Sequence, residues 1–228
     1  MEQFTEYLDG MKKCQRNWDL LSPVPDNHIE QLIEVAHSAP RKNSIRFYSL
    51  LVLKSREVIN EFAAATDPEV FMDDEDKQTG VFKAVRQGQT RAPVLFAWCI
   101  DEEMKEKTLA TGAYSAGAYQ NIFCYGHIGM SSALTAMYAH KLGYKTGFCQ
   151  CYKDTANYLE KYGIKGEIVV FLGIGKPHPE YPLYTQTVIS DIIDNEQIYP
   201  NGKPNPFFDK PTSNESNEPN IPPKTTIL

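Results

Sequence analysis

Two rhythms of apolar and polar residues run along this chain. After Pro25-Asp26, the residues Ile29, Leu32, Ile33 and Ala36 recur at the i, i+3, i+4, i+7 spacing of one helix face, so one side of that helix belongs to a core. Residues 47–53 are rich in aromatic and aliphatic side chains and bounded by polar ones, as a buried strand is, and 56–65 reads as the helix after it. Two further runs, 93–100 (PVLFAWCI) and 168–174 (IVVFLGI), are nearly all apolar and too short for independent helices. Both are expected to be strands covered on two faces. Between them, 109–142 is the longest helical region, filled with small residues that let backbones approach closely, among them Gly112, Gly126, Gly129, Ser131, Ser132, Ala136 and Ala139. In its second half Met130, Ala133, Leu134, Met137, Tyr138 and Leu142 keep helical spacing, and Gly143 supplies the left-handed stop. The pattern predicts a central helix with one face free for a partner helix. A short helix precedes Lys12, and a last one lies between Asp154 as N-cap and Gly163.

Composition bounds the organisation. With 228 residues, 42% hydrophobic and 23% charged, the chain can build one good core, assigned to 1–194. Seven of the fifteen prolines fall between Pro200 and Pro223, among Asn, Ser and Thr, so 195–228 forms no core of its own. That tail is either disordered or an arm laid on a partner subunit. The acidic run 67–77 reads as an exposed loop.

The 23 basic against 29 acidic residues give a net charge of -6, which argues against nucleic acid or an anionic membrane as a general partner. Five cysteines, an odd number with no Cys-x-x-Cys pair, indicate neither a disulfide framework nor a zinc ribbon. A reducing cytoplasm fits them best. The acidic start of the chain has no signal-like apolar run, and nothing approaches the ~20 apolar residues of a membrane span.

Against this acidic background the cluster Lys12-Lys13-Cys14-Gln15-Arg16-Asn17-Trp18 stands out, with Arg41-Lys42 and Arg46 after it. Arg offers a fork of donors matched to a phosphomonoester, so such clusters can hold a cofactor phosphate; alone, they are more often solvated surface.

The order of these segments resembles the FMN-dependent nitroreductases. The resemblance rests on KKCQRNW, a helix, Ala39-Pro40-Arg41-Lys42-Asn43, a strand, Gln87-Gly88-Gln89-Thr90-Arg91-Ala92-Pro93 leading into a strand, Gly129 opening a long helix that closes at Leu142-Gly143-Tyr144, and Gly173-Ile174-Gly175-Lys176-Pro177. It spans about residues 10 to 180. It implies an α+β fold with a central mixed sheet flanked by helices, dimerised through the long helix, with two FMN sites built from both subunits. The family's Arg-x-Ser-x-Arg/Lys pattern falls on Lys12, Cys14 and Arg16. Lys12 and Lys13 are then implied to face the FMN phosphate or ribityl chain, and Arg16 the N1 and O2 edge of the ring, where a cation favours the reduced anion. Pro40 to Asn43 matches the segment that holds the neighbouring subunit's FMN, with Ile45 following it, and Gln87 and Gln89 match amides that meet the flavin N3 and its adjacent carbonyl. The backbone that approaches N5 is implied to lie in Gln150, Cys151 and Tyr152. The chain departs from the family at Cys14 for Ser, Lys12 for Arg, a shorter spacing from Pro40 to Asn43, and Arg46 for Pro. Lys176 is the only cation where an Arg usually follows the glycine strand.

The implied reaction is ping-pong, from NADH or NADPH through flavin N5 to an electron-poor acceptor. It requires no side-chain acid or base, so no catalytic residue and no metal are assigned. The aromatics Tyr114, Tyr119, Phe123 and Tyr125 either wall the acceptor pocket or belong to the core. Two rivals remain: a flavin store without turnover, and a serine hydrolase in which Ala113-Tyr114-Ser115-Ala116-Gly117 imitates a nucleophile elbow followed by Asp154 and His178. No apolar strand precedes Ser115, and a small-residue helix face explains it better. Cys149-x-Cys151 reads as small core residues rather than metal ligands.

Overall fold

The computed structural model describes residues 2–11, 14–40, 48–66, 88–110, 118–150 and 156–179. In chain order these form α1 (Glu2–Met11), α2 (Asp26–His37), β1 (Tyr48–Leu53), α3 (Arg56–Thr66), a 3-10 turn (Gly88–Arg91) and β2 (Val94–Asp101). There follow α4 (Glu102–Ala110), α5 (Ala118–Lys141), β3 (Lys145–Cys149), α6 (Ala156–Glu160) and β4 (Gly166–Gly175). The expectations for 67–77 and for the tail 195–228 lie outside the described residues, and no described helix is long and apolar enough to cross a membrane.

The four strands make one sheet in the order β1-β2-β4-β3. The fold is α+β, but all three described ladders are antiparallel, so no parallel pairing that would make the sheet mixed lies among the described residues. β2 is central, and its continuous apolar run follows from that place. Val94, Phe96, Trp98 and Ile100 pack on one side with Ile29, Leu32 and Ala36 of α2 and Cys124, Ile128, Ala136 and Ala139 of α5. Leu95, Ala97 and Cys99 pack on the other with Ile59 and Phe62 of α3 and Tyr158 and Leu159 of α6. A strand with a core on each face has no position for a polar side chain. Burial pushes the Cys99 thiol up to about 12 and Cys124 up to about 11, so both stay protonated core residues near neutrality.

In β4 the alternation is broken once. Opposite Trp98 and Cys99 the partners jump from Val170 to Ile168, leaving Val169 as the extra residue of a bulge. Ile168 and Phe171 thereby reach one core while Val170, Leu172 and Ile174 reach the other.

The helical region expected over 109–142 is divided between α4 and α5, whose described residues are separate, and α5 starts at Ala118 rather than at Gly129. Asp101 explains the early start of α4, because its Oδ1 accepts from the backbone N–H of Glu103 at 3.1 Å and of Met104 at 3.2 Å, as an N-cap does. α5 ends as expected at Gly143, which has φ 83°, with Tyr144 N–H returning to Ala139 O at 3.0 Å. Ser131 shows what the small residues of α5 do: its hydroxyl accepts from Trp98 Nε1 at 2.8 Å and donates to Ala36 O at 2.6 Å, tying helix, sheet and α2 together.

Candidate functional site

The stretch after α1 runs along the ends of β3 and β4. Gln15 N–H donates to Thr146 O at 2.9 Å, Asp19 N–H to Lys176 O at 3.0 Å and His178 N–H to Asn17 O at 3.1 Å, and Trp18 bridges Pro177. The 3-10 turn lies beside it. Trp18, fully buried, donates its indole N–H to Gly88 O at 2.7 Å. Both segments can come this close because the sheet beneath is bare. Gly147 and Gly173 are register partners, and a Cβ on them would stand 2.2 Å from Gln15 O and 2.1 Å from Gln89 O respectively. Gly88 likewise faces Arg16, whose Cβ would lie 2.9 Å from an added Cβ.

Two side chains converge on one backbone carbonyl here. Gln89 Nε2 donates to Phe148 O at 3.2 Å, and the half-buried Cys14 Sγ donates to the same oxygen at 3.4 Å. Only the NH2 end of an amide can face a carbonyl, so Phe148 O decides which way Gln89 is turned. Its Oε1 is then an acceptor, buried and without a hydrogen-bond partner among the described residues, on a side chain only 5% exposed. An unsatisfied buried acceptor costs about 1–3 kcal/mol, which a ligand N–H would recover.

Phe148 also lines a cavity of about 380 Å³ between α5 and the β3–β4 edge, together with Tyr125, Ser132, Gln150 and Val169. Tyr125 O–H donates to Glu167 Oε1 at 3.0 Å; burial, and then this bond, raise its pKa above the ordinary tyrosine value.

The sequence model of the Nitroreductase family matches residues 14–176. The chain belongs to the nitroreductase family. The matched stretch begins at Cys14 and ends at Lys176, so it takes in the segment after α1, the 3-10 turn and the sheet glycines just described. Solved structures share the fold at low identity. NfrA2 of B. megaterium is 14% identical with a TM-score of 0.60, over 82% of this chain and 70% of that one. The NADPH:FMN oxidoreductase of Vibrio harveyi, complexed with NAD+, is 14% identical with a TM-score of 0.58, over 80% and 72%. CLA-ER, an enone reductase of gut-bacterial fatty acid saturation, is 13% identical with a TM-score of 0.56, over 79% and 92%. A comparison with curated proteins gives no match. Membership of the nitroreductase family makes the chain an oxidoreductase.

Of the residues expected to serve a nitroreductase site, the fold brings Cys14 and Gln89 together on Phe148 O, sets Arg16 against Gly88, and places Gln150 and Tyr125 on one cavity. Gln150 Nε2 donates to Val169 O at 3.3 Å. Pro40 follows α2 on the surface. Lys176 is turned elsewhere: its ammonium donates to Gly143 O at 2.9 Å and lies 5.2 Å from the centre of the Tyr144 ring, at the carbonyl end of α5. Lys12, Lys13, Arg41, Lys42, Asn43, Ile45, Gln87, Tyr114, Ser115, Cys151, Tyr152 and Asp154 lie outside the described residues, and Tyr119 and Phe123 are described only as backbone of α5. Cys149, 4% exposed, packs in the core with Phe171. Sequence reading missed Phe148 and gave Gln15 no role. Both act through backbone atoms, which leave no signature in residue type; the aromatic in KKCQRNW was the one visible sign of the Trp18 anchor.

Proposed function

We propose that this nitroreductase-family chain is an FMN-dependent enzyme that takes hydride from NADH or NADPH and passes the electrons, by a ping-pong route, to an electron-poor small molecule such as a nitroaromatic, quinone or enone. The observation that carries the reading is Gln89, whose amide is held by Phe148 O with a buried acceptor left over. A flavin ring edge offers an N–H beside a carbonyl, the complement of such an acceptor. FMN, when bound, supplies the two-electron chemistry, accepting hydride from the nicotinamide and releasing it to the acceptor. The chain's own residues bind and orient. Arg16 is the cation for the ring edge that gains negative charge on reduction, and Lys12 and Lys13 are the cations for the phosphate and ribityl chain. Gln150, at the end of β3, borders the cavity in which the acceptor stacks. Among the described residues no Asp, Glu, Lys or Arg lines that cavity, which suits a flat neutral acceptor. No side-chain acid or base is assigned. The V. harveyi and CLA-ER structures, described as an NADPH:FMN oxidoreductase and an enone reductase, support the cofactor and the acceptor class.

We also infer a homodimer with the site completed across its twofold. The support is one face of α5: Gly126, Gly129, Met130 and Ala133 are exposed at helical spacing, Met130 at 45%, and a Cβ on either glycine would meet nothing within 4 Å.

Purified protein is expected to be yellow, to bleach anaerobically with NADH or NADPH, and to recover colour with a quinone. Gln89→Ala is expected to weaken FMN binding by roughly tenfold, the value of one hydrogen bond to a buried group. A protein that stays yellow with either nicotinamide is a store rather than a reductase, and one that ignores added FMN overturns the reading altogether.

A further inference from the structure

The 3-10 turn that carries Gln89 is held at both ends. At its start Gly88 O accepts from Trp18 Nε1 at 2.7 Å. At its end, Arg56 of α3 reaches in and sets both arms of its guanidinium on consecutive carbonyls, Nη1 on Arg91 O at 2.7 Å and Nη2 on Ala92 O. A short 3-10 turn leaves its last carbonyls without internal partners, and a planar fork satisfies two of them at fixed spacing. Arg56 is half-buried, and desolvation lowers its pKa to about 10, still well above neutrality, so the fork stays charged. Between the two anchors the Gln89 backbone has little room to move. Its carbonyl already abuts Gly173, where an added Cβ would stand 2.1 Å away.

We propose that Arg56, on the helix layer opposite α2 and α5, is a positioning residue for the cofactor site: it fixes the turn so that Gln89 meets Phe148 O with its NH2 and keeps Oε1 aimed at the ligand. The proposal rests on the FMN reading above. Among the described residues the hydrogen bonds of Arg56 go to the carbonyls of Arg91 and Ala92, so its effect passes through the turn. Lys in its place keeps the charge but reaches one carbonyl at a time, freeing the end of the turn and letting the Gln89 amide rotate.

The test is a double-mutant cycle on FMN affinity and flavin midpoint potential, measured with wild type, Arg56→Lys, Gln89→Ala and the double variant well below each melting temperature. Arg56→Lys is expected to raise the FMN Kd roughly tenfold in the wild-type background, about the value of one charge-assisted bond, and to shift the potential in the same direction as Gln89→Ala. In the Gln89→Ala background it should change Kd by less than twofold, because the group it positions is gone. Equal losses in both backgrounds mean that Arg56 stabilises the fold generally, and no loss in the first means that the turn holds without it; either result overturns the proposal. Wild type that binds no FMN removes the functional reading, and this inference with it, whereas additive losses in FMN-binding proteins refute the inference alone.

Discussion

His140 shows how one side chain records its surroundings. Its ring fills the space where a Cβ on Gly10 would stand 2.7 Å away, and its Nε2 lies 3.1 Å from Thr146 Oγ1. Burial, and then the charge of Lys145, push its pKa from 6.5 down to about 4. Above pH 6.5 the residue is neutral in both folded and unfolded chains and makes no difference between them. As pH falls from 6.5 toward 4 the unfolded chain takes the proton first, so stability declines with falling pH through that window, by up to about 1 kcal/mol per pH unit after allowance for solvent screening. Urea midpoints at pH 7 and pH 5 should therefore draw apart in wild type and stay closer in His140→Asn. Equal shifts in both proteins would assign the acid sensitivity to other groups. Gln89 belongs to this scale too. Its type was visible in the sequence as an amide ahead of an apolar strand, but its orientation was not, because that depends on a carbonyl 59 residues away.

At the scale of elements, β1, β2 and β4 were legible because each is a dense apolar run, and α2 because its spacing leaves one interpretation. β3, Lys-Thr-Gly-Phe-Cys, escaped notice. Lys145 and Gly147 break its apolar pattern, and only pairing with β4 makes it a strand. The glycine that hides it is required by function of place, since Gln15 crosses directly over it. Core position separates neighbouring residues of β4 as well. Leu172, fully buried and paired with Phe96 and Phe148, should cost about 2–5 kcal/mol when changed to Ala. Val169, the bulge residue and only partly buried, should cost about 1 kcal/mol or less for the same change. Denaturant titrations that found the two losses equal would contradict the division of faces by the bulge.

For the whole molecule, the exposed apolar face of α5 sets the main expectation. A 45%-exposed Met130 on one helix face with the exposed Gly126, Gly129 and Ala133 is the kind of surface a second copy covers. Met130→Arg should convert a dimer into a monomer in sedimentation velocity and release FMN with it, if the site is shared; a wild-type monomer that holds FMN would refute the shared site. Taken by itself, the order of residues determined which segments are strands and helices where burial is one-sided or complete, because hydrophobic periodicity is a local property. Its ordered set of basic, amide and glycine motifs also carried the resemblance to the nitroreductases, the family whose model matches residues 14–176. Only the tertiary structure decided that the sheet's described pairings are all antiparallel, that Lys176 serves a helix end, and that Gln89, Cys14 and Phe148 O form one cluster clamped by Trp18 and Arg56. Those outcomes depend on backbone groups and on approaches between residues far apart in the chain, and backbone atoms are the same at every position.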